Sequence, residues 1–251
     1  MTKSLLSSVM DIGEQMLCSG AEIYRVEDSL NRILTAYGFK RVDVFIITSS
    51  MVISIYDING EFYTQTRRIK GTSINLDKLD KLNSLSRMIC LNKPEPEKIN
   101  EELSRINASL CYPVWLNVLA TALIAMSFTL FFGGGFLEAA ISFLIGAITK
   151  IVSYFTDKVK TNTLFERFIH SFLICFLAFV TVKLSIVSTP DKIIIGNIMY
   201  LIPGVGFTNA LRDMFKGDIF AGVHRTIESL LLAFSIASGY IVTVLVFGGG
   251  L

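Results

Sequence analysis

The sequence has few of the residues on which enzyme and metal chemistry most often depends. Its 251 residues include only two histidines, and neither lies in the first 110 residues. Histidine-based triads and histidine-ligated metals are therefore excluded from this N-terminal part. No GxxxxGK[ST] loop is present, which excludes a P-loop nucleotide site. We accordingly expect no catalytic residues, no metal and no cofactor.

Cysteine is also scarce. The four cysteines lack the paired spacing of metal ligands, and two of them fall in or beside apolar segments. We therefore expect reduced structural thiols rather than a disulfide framework. The four are Cys18, Cys90, Cys111 and Cys175.

The charge balance excludes a further class of partner. Lys and Arg total 23 against 21 Asp and Glu, which gives a formal net charge of +2 and no nucleic-acid footprint. The N-terminus has no long apolar core before its first charges, so we expect no signal peptide. Apolar residues are in excess instead, at 52% with a mean hydropathy of +0.57. The apolar fraction of soluble globular proteins is usually smaller.

This excess is concentrated in the second half of the chain, which predicts two domains. Residues 1–110 have the pattern of a soluble α+β domain. Residues 111–251 are predicted to form a transmembrane domain with five spans of roughly 20 residues, the fourth being short. The predicted spans are about 113–132, 136–155, 168–187, 193–207 and 226–247.

The soluble domain begins with one long predicted helix over residues 4–37, because apolar residues recur there at helical spacing. Gly13 and Gly20 each weaken a helix by about 1 kcal/mol relative to alanine, so each marks either close packing or a bend. Three strands and two helices follow. The strands are Val42–Thr48, Met51–Asp57 and Phe62–Arg68, with an Asn59-Gly60 hairpin turn, and the helices are about 73–91 and 95–109.

Basic residues predict the orientation in the membrane. Loops 156–167 and 208–225 carry three Lys or Arg each, whereas loops 133–135 and 188–192 carry one between them. We therefore expect a protein of the cell membrane, that is, the inner or plasma membrane. The positive-inside rule then places the soluble domain in the cytoplasm and the C-terminus outside. The predicted fold is an α-helical, multi-pass integral membrane protein preceded by a small cytoplasmic α+β domain. Its odd span count predicts a membrane partner.

The spans carry small and weakly polar residues on single faces. In the second span these are Ala139, Ser142, Gly146, Thr149 and Ser153. Close helix packing explains such a face. A polar lining for a solute path is the alternative.

Residues 201–228 combine broken backbone with charge, which is costly in lipid. Pro203 disrupts a helix, so we expect a broken membrane helix that restarts there. The new N-terminus offers the N–H groups of Gly204, Val205 and Gly206 to an anion. The restarted helix is predicted to reach Lys216.

Glycine and aspartate then predict a sharp corner. Gly217 is a helix stop and Asp218 an N-cap for a last helix from residue 219 to about 246. Arg212 could contact an anionic solute, and Asp213 could pair with Arg212 or with a solute ammonium. Arg225 and Glu228 are spaced for a surface ion pair. An ordinary basic cytoplasmic loop is the alternative.

Two blocks of the sequence resemble the threonine/serine exporter family. The first is DIGEQMLCSGAEIYRVEDSLNRILTAYGF and the second is LIPGVGFTNALRDMFKGDIFAGVHRTIES. The matching residues of the first block are Gly13, Ser19, Gly20, Ala21, Glu22, Arg25, Val26, Glu27 and Gly38. Those of the second are Pro203, Gly204, Asn209, Arg212, Asp213, Gly217, Asp218 and Arg225.

The resemblance implies secondary, proton-driven export of small polar metabolites. Single-chain members carry a second membrane block, whereas this chain stops at Leu251. It therefore resembles the larger, N-terminal component of the two-part version, whose partner is a separate small membrane protein. Relatives export threonine and serine, and a two-part relative is associated with succinate.

These expectations combine into one hypothesis, with the chain as a subunit of an exporter of small carboxylates. The partners are the lipid bilayer, the solute and the small membrane protein, and homo-oligomerisation stays open. A non-transporting structural or regulatory subunit, and a membrane-anchored enzyme, are the alternatives. The predicted substrate-binding residues are Pro203, Gly204, Val205, Gly206, Asn209, Arg212 and Asp213. The predicted structural or gating residues are Gly217, Asp218, Arg225 and Glu228.

Overall fold

The computed structural model describes residues 2–57, 60–71, 73–108, 112–158 and 162–247. These residues are mostly helical and include one three-stranded sheet near the N-terminus. The chain divides into two compact units. The first unit comprises Met1–Leu110 and Gly206–Thr226, and the second comprises Cys111–Val205 and Ile227–Leu251.

The N-terminal segment forms two helices, α1 (Thr2–Cys18) and α2 (Ile23–Ala36). The prediction of one helix over 4–37 is therefore wrong. Gly20 has φ +89°, a conformation that ends a helix and that glycine adopts without steric cost. Gly13 marks close packing instead, since a Cβ there would lie 2.8 Å from Leu30 Cδ1.

The three predicted strands are confirmed. They are β1 (Arg41–Ile47), β2 (Ser50–Tyr56) and β3 (Phe62–Arg68), antiparallel in the order β1-β2-β3. Alternate side chains of β2 face the core, which buries Met51, Ile53 and Ile55. In the predicted hairpin turn Gly60 has φ +81°, and Asn59 lies outside the described residues.

The two predicted helices after the sheet are also confirmed as α3 (Leu76–Asn92) and α4 (Pro96–Ala108). The side chain of Asn75 caps α3 by accepting a hydrogen bond from the Lys78 N–H at 3.0 Å. One hydrophobic core joins these helices to α1, α2 and the sheet, and it also takes in Ala221 from the later part of the unit. Its completely buried members include Val9, Ile12, Met16, Ile23, Val26, Leu30, Ile33, Leu82, Ile89 and Ile99.

Within the described residues, four helices are long and apolar enough to cross a membrane. They are α5 (Val114–Phe131), α6 (Phe136–Lys158), α7 (Thr163–Lys183) and α10 (Ile219–Phe247). The third begins five residues before its predicted start, because Asn162 caps it by accepting from the Leu164 N–H at 2.9 Å. Among the cysteines, Cys18, Cys90 and Cys175 are free thiols, and Cys111 lies outside the part of the chain that is described.

The fourth predicted span, 193–207, is not one helix. It consists of α8 (Asp191–Ile198), a 3-10 turn (Met199–Leu201) and the start of α9 (Gly204–Phe215). The helix break predicted at Pro203 is thus present. A fifth crossing exists if these bent segments are counted as one span.

Small side chains pack the helices of the second unit, as predicted for the face of α6. A Cβ on Gly146 would lie 2.9 Å from the Cβ of Ala125 on α5. Ser142 is completely buried and accepts a hydrogen bond from Thr129 Oγ1 at 2.7 Å. These contacts let α5 and α6 approach closely.

Candidate functional site

Helix α9 begins at Gly204, directly after Pro203, and ends at Phe215, close to the predicted limit. Gly217 has φ +101°, and α10 starts two residues later, so the predicted corner is present. The corner is tight, because a Cβ on Gly222 would lie 2.4 Å from Met214 Cγ. The Asp218 carbonyl accepts a hydrogen bond from the Gly222 N–H at 3.0 Å, at the start of α10.

The first turn of α9 only partly matches the predicted anion site. The Gly204 N–H donates to the Ile202 carbonyl at 2.8 Å, so one of the three predicted donors already has a partner. Gly204 and Val205 are exposed, while Pro203 is half-buried. These residues belong to the second unit, whereas Gly206–Thr226 belong to the first. Their contact with a solute stays a prediction.

Arg212 pairs with a partner that the sequence did not suggest. Its guanidinium donates to the Glu22 carboxylate at the start of α2. Only 6% of the Glu22 side chain is exposed, against 49% of the Arg212 side chain. Among the described residues the guanidinium therefore pairs with Glu22, and the Arg212 side chain still reaches solvent.

Asp213 is completely buried and pairs with Arg225, whose Nη1 lies 3.1 Å from the carboxylate Oδ2. The Arg225 Nη2 also donates to the Ala21 carbonyl at 3.1 Å. The Ile23 N–H, at the first turn of α2, interacts favourably with the same carboxylate. Helix N-termini favour such negative charge.

Two predicted pairings are thereby corrected. Asp213 pairs with Arg225 rather than with Arg212. Arg225 is turned toward Asp213 and Ala21 instead of forming the predicted surface pair, and Glu228 is exposed. Spacing along one helix predicted the wrong partners because the right ones lie on different elements.

Together, Glu22, Arg212, Asp213 and Arg225 form what we call the charged cluster. It lies in the first unit, where the turn between α1 and α2 contacts α9 and the start of α10. Each sequence block that resembles the exporter family contributes to it.

Glu27, on the next turn of α2, is a half-buried carboxylate of the same unit. It accepts a hydrogen bond from the Ile46 N–H at 3.0 Å. Burial raises the pKa of Glu27, the hydrogen bond opposes that change, and the Asp218 carboxylate raises the pKa further. Asn209, which was predicted to bind solute, is half-buried on α9.

Long apolar helices, an interrupted helix and a charged helix corner define a multi-pass membrane protein of the transporter class. The chain belongs to the threonine/serine exporter family, whose model matches residues 7–248.

Two similar bacterial proteins are each described as the probable succinate transporter subunit YjjP. The one from Klebsiella aerogenes is 25% identical over 93% of this chain and 90% of its own length. The one from Escherichia coli is 24% identical over 93% of this chain and 91% of its own.

A third relative, the probable threonine/serine exporter of Mycobacterium tuberculosis, is 19% identical over 96% of this chain. The match covers 46% of that longer protein. No solved structure matches the chain. The family and the names of these relatives indicate a transporter rather than an enzyme.

Proposed function

We propose that the chain is the larger membrane subunit of a secondary exporter that moves small carboxylate-bearing metabolites out of the cell. The solutes are of the serine, threonine or succinate kind. The observation that carries this proposal is α9, which restarts at the Pro203-Gly204 break and bears Arg212, paired with Glu22, and Asp213, paired with Arg225. Interrupted helices with free ends and nearby charges are a recurring device for binding ions and carboxylates in transporters.

The proposed topology has five crossings. It places the N-terminal domain in the cytoplasm and the C-terminus outside. In this proposal the first unit, which contains both Met1–Leu110 and Gly206–Thr226, lies on the cytoplasmic side. Three crossings by α5, α6 and α7 leave the chain on the other side. The segment from α8 to the start of α9 must then return it, which supports counting the bent pair as a crossing.

A separate small membrane protein completes the exporter in this proposal. Two relatives that match this chain over nearly its whole length are called transporter subunits. The longer relative from M. tuberculosis extends well beyond the matched region. A partner chain that supplies the equivalent of that extra length accounts for both observations.

Efflux that depends on the partner is the first expected result. Cells that express the chain with its candidate small partner and are preloaded with labelled serine, threonine and succinate should lose at least one solute faster than cells that express either protein alone. Membrane fractions probed for both proteins control for expression. If none of the three solutes leaves faster, the proposed exporter function is wrong for this solute class.

Arg212→Gln is expected to lower efflux by about 10- to 100-fold, since a hydrogen bond to a charged group contributes about 1.5–3 kcal/mol. Arg32→Gln is the matched control, because the Arg32 side chain is 73% exposed in a surface pair on α2. It should export normally.

Loss of stability could also lower efflux in Arg212→Gln, because the buried Glu22 carboxylate loses its partner. The double variant Glu22→Gln/Arg212→Gln removes both charges and separates the two effects. If Arg212 binds solute, this variant regains thermal stability but not efflux. Recovery of both would assign Arg212 a structural role.

A non-transporting structural subunit is the second candidate function. It is favoured by the ion pairs of the charged cluster, since Arg212 and Asp213 both have protein partners. Under this alternative the double variant would behave as the wild type in every assay, and a partner would export solute without this chain.

A further inference from the structure

Strand β1 lies at one edge of the sheet in the first unit, because it pairs with β2 and with no other strand among the described residues. Its register with β2 runs unbroken from Arg41 to Ile47, so β1 has no bulge, and it contains no proline. Bulges and prolines are common devices that keep an edge strand from pairing with another chain. The free side of β1 is therefore open to a further strand.

The hydrogen bonds of β1 show which backbone groups face this free side. The Ile46 N–H donates to Glu27 Oε1 at 3.0 Å rather than to β2. Successive residues of an antiparallel strand alternate between its two sides, so the N–H and C=O groups of Val42 and Val44 also point away from β2. Among the described residues, Glu27 is the only hydrogen-bond partner found on this side of β1. The groups of Val42 and Val44 can therefore pair with another chain.

The free side of β1 faces a groove of about 480 Å³. Val42–Phe45 of β1 line one wall, and α2 supplies Glu27, Asp28 and Asn31 on the other. Ligand pockets commonly have volumes of about 300–1,000 Å³. An extended peptide that adds to a sheet edge gains affinity from main-chain hydrogen bonds and specificity from the walls around its side chains. The groove offers both kinds of contact.

The groove is acidic. Glu27, Asp28 and Asp43 line it, and no Lys or Arg is among its described lining residues. The side chains of Asp28 and Asp43 are 57% and 55% exposed, so both can meet an incoming chain. Their pairs with Arg32 and Arg41 are exposed and therefore weak. Like charges on neighbouring strands repel and opposite charges attract, so the groove favours a basic segment.

A strand added beside β1 would place alternate side chains in two different surroundings. One set continues the outer face of the sheet, where Phe45 is 63% exposed and Val52 is half-buried. The other set turns toward α2, which packs on the core side of the sheet and carries Glu27 and Asp28. A segment that alternates apolar and basic residues fits both surroundings.

We propose that this groove binds an extended basic segment of the small membrane partner, which adds a strand beside β1. In the proposed topology the first unit lies in the cytoplasm, and cytoplasmic loops of membrane proteins are enriched in Lys and Arg. Such a loop has the charge that the groove selects. The inference rests on the proposed two-part exporter and adds to it a contact that joins the two subunits.

Peptide binding to the purified full chain, in nanodiscs of zwitterionic phosphatidylcholine, tests the groove. The probe is fluorescein-labelled Val-Lys-Val-Lys-Val-Lys, which alternates apolar and basic side chains. Val-Glu-Val-Glu-Val-Glu is the control of opposite charge, and empty nanodiscs measure binding to lipid. The lysine peptide should bind at least about 10-fold more tightly than the glutamate peptide, because carboxylates that face carboxylates are strongly unfavourable. Equal affinities would overturn the proposal.

Backbone pairing has a signature that charge attraction lacks. Two isomers of the lysine peptide carry N-methyl groups on alternate residues, one on its valines and the other on its lysines. Successive N–H groups of an extended strand point to opposite sides, so one isomer cannot pair with β1 and the other can. The affinities of the two isomers should differ by about 10-fold. Equal binding of the two isomers would overturn strand addition.

Val44→Pro removes an N–H group that faces the groove. Proline is tolerated in an edge strand where its nitrogen points away from the ladder. The variant should bind the lysine peptide about 10-fold more weakly. Val44→Ala is the matched control, since it also shortens the side chain but keeps the N–H group, and it should bind as the wild type does. Wild-type affinity of Val44→Pro would contradict pairing at this residue.

Asp28→Asn/Asp43→Asn tests the charge of the groove and keeps the proposal falsifiable if Val44→Pro does not fold. The variant should bind the lysine peptide about 3- to 10-fold more weakly, since each exposed charge pair contributes little. Asp77→Asn/Asp80→Asn is the matched control, because both aspartates are exposed on α3. It should bind normally. Equal affinities of these two variants would overturn the charge selection.

Co-purification with the candidate partner, together with efflux, separates this inference from the exporter function. Loss of the partner from Val44→Pro, but not from Val44→Ala, would support the proposed contact. Retention of the partner by both groove variants would overturn that contact, and partner-dependent efflux would still support the exporter. Groove-dependent co-purification without efflux of any of the three solutes would uphold the contact and contradict the exporter.

A second copy of the chain is the other occupant that the same variants can reveal. If the wild type binds no lysine peptide but forms a dimer that Val44→Pro dissociates, the edge pairs two copies of this chain. That result would overturn the assignment of the groove to the membrane partner.

Discussion

Replacing Arg225 by methionine is expected to lower the free energy of unfolding by about 3–5 kcal/mol, the usual cost of removing one partner of a buried ion pair. Asp213 is completely buried, and only 14% of the Arg225 side chain is exposed. The change leaves a carboxylate without its countercharge and the Ala21 carbonyl without its donor. Thermal unfolding in detergent, followed by the recovery of monodisperse protein, measures this loss.

A matched control and a rescue variant make this result specific. Arg32→Met removes an exposed arginine from a surface pair and should cost less than about 1 kcal/mol. Arg225→Met/Asp213→Leu replaces both charges by apolar groups and should regain most of the lost stability. If Arg225→Met unfolds at the same temperature as Arg32→Met, the buried pair does not stabilise the protein.

Gly196→Ala is expected to have the second large effect, in the second unit. A Cβ at this position would lie 2.0 Å from Thr129 Oγ1 and 2.8 Å from the Thr129 backbone nitrogen on α5. Rotation of the threonine side chain cannot relieve the backbone overlap, so α8 must move away from α5. Overpacking of this kind costs about 1–3 kcal/mol or more. It should sharply reduce the yield of folded protein in detergent.

Gly204→Ala is the matched control, because no atom lies within 4 Å of a Cβ at Gly204. It should be recovered at the wild-type yield. Thr129→Ala combined with Gly196→Ala should restore only part of the yield, since the backbone contact stays. Full recovery of Gly196→Ala alone would contradict the close approach of α8 and α5.

Local patterns predicted the elements of the fold well. Segments rich in β-branched residues, together with a turn glycine, predicted the sheet. Long apolar runs predicted the long helices. Pro203 and Gly217 predicted where α9 begins and ends, because proline and glycine change the conformation of the backbone at their own positions. The break between α1 and α2 was predicted only as a possible bend at Gly20, since Met16 and Ile23 continue one apolar periodicity across it, while the positive φ of Gly20 ends α1.

The candidate sites were harder to predict, because their contacts join distant parts of the chain. Arg212 and Glu22 are 190 residues apart in sequence, so helical spacing offered only nearby and wrong partners.

The first unit consists of two stretches that are separated in the sequence, and this affects the order in which its parts are synthesised. Gly206–Thr226 completes a unit whose other residues, Met1–Leu110, leave the ribosome first. The segment from Cys111 to Val205 must be synthesised in between, which takes about 5–20 s at ordinary translation rates. During that interval Glu22 lacks Arg212, and the core lacks Ala221. The nascent N-terminal part therefore lacks these two contacts until Gly206–Thr226 has been synthesised.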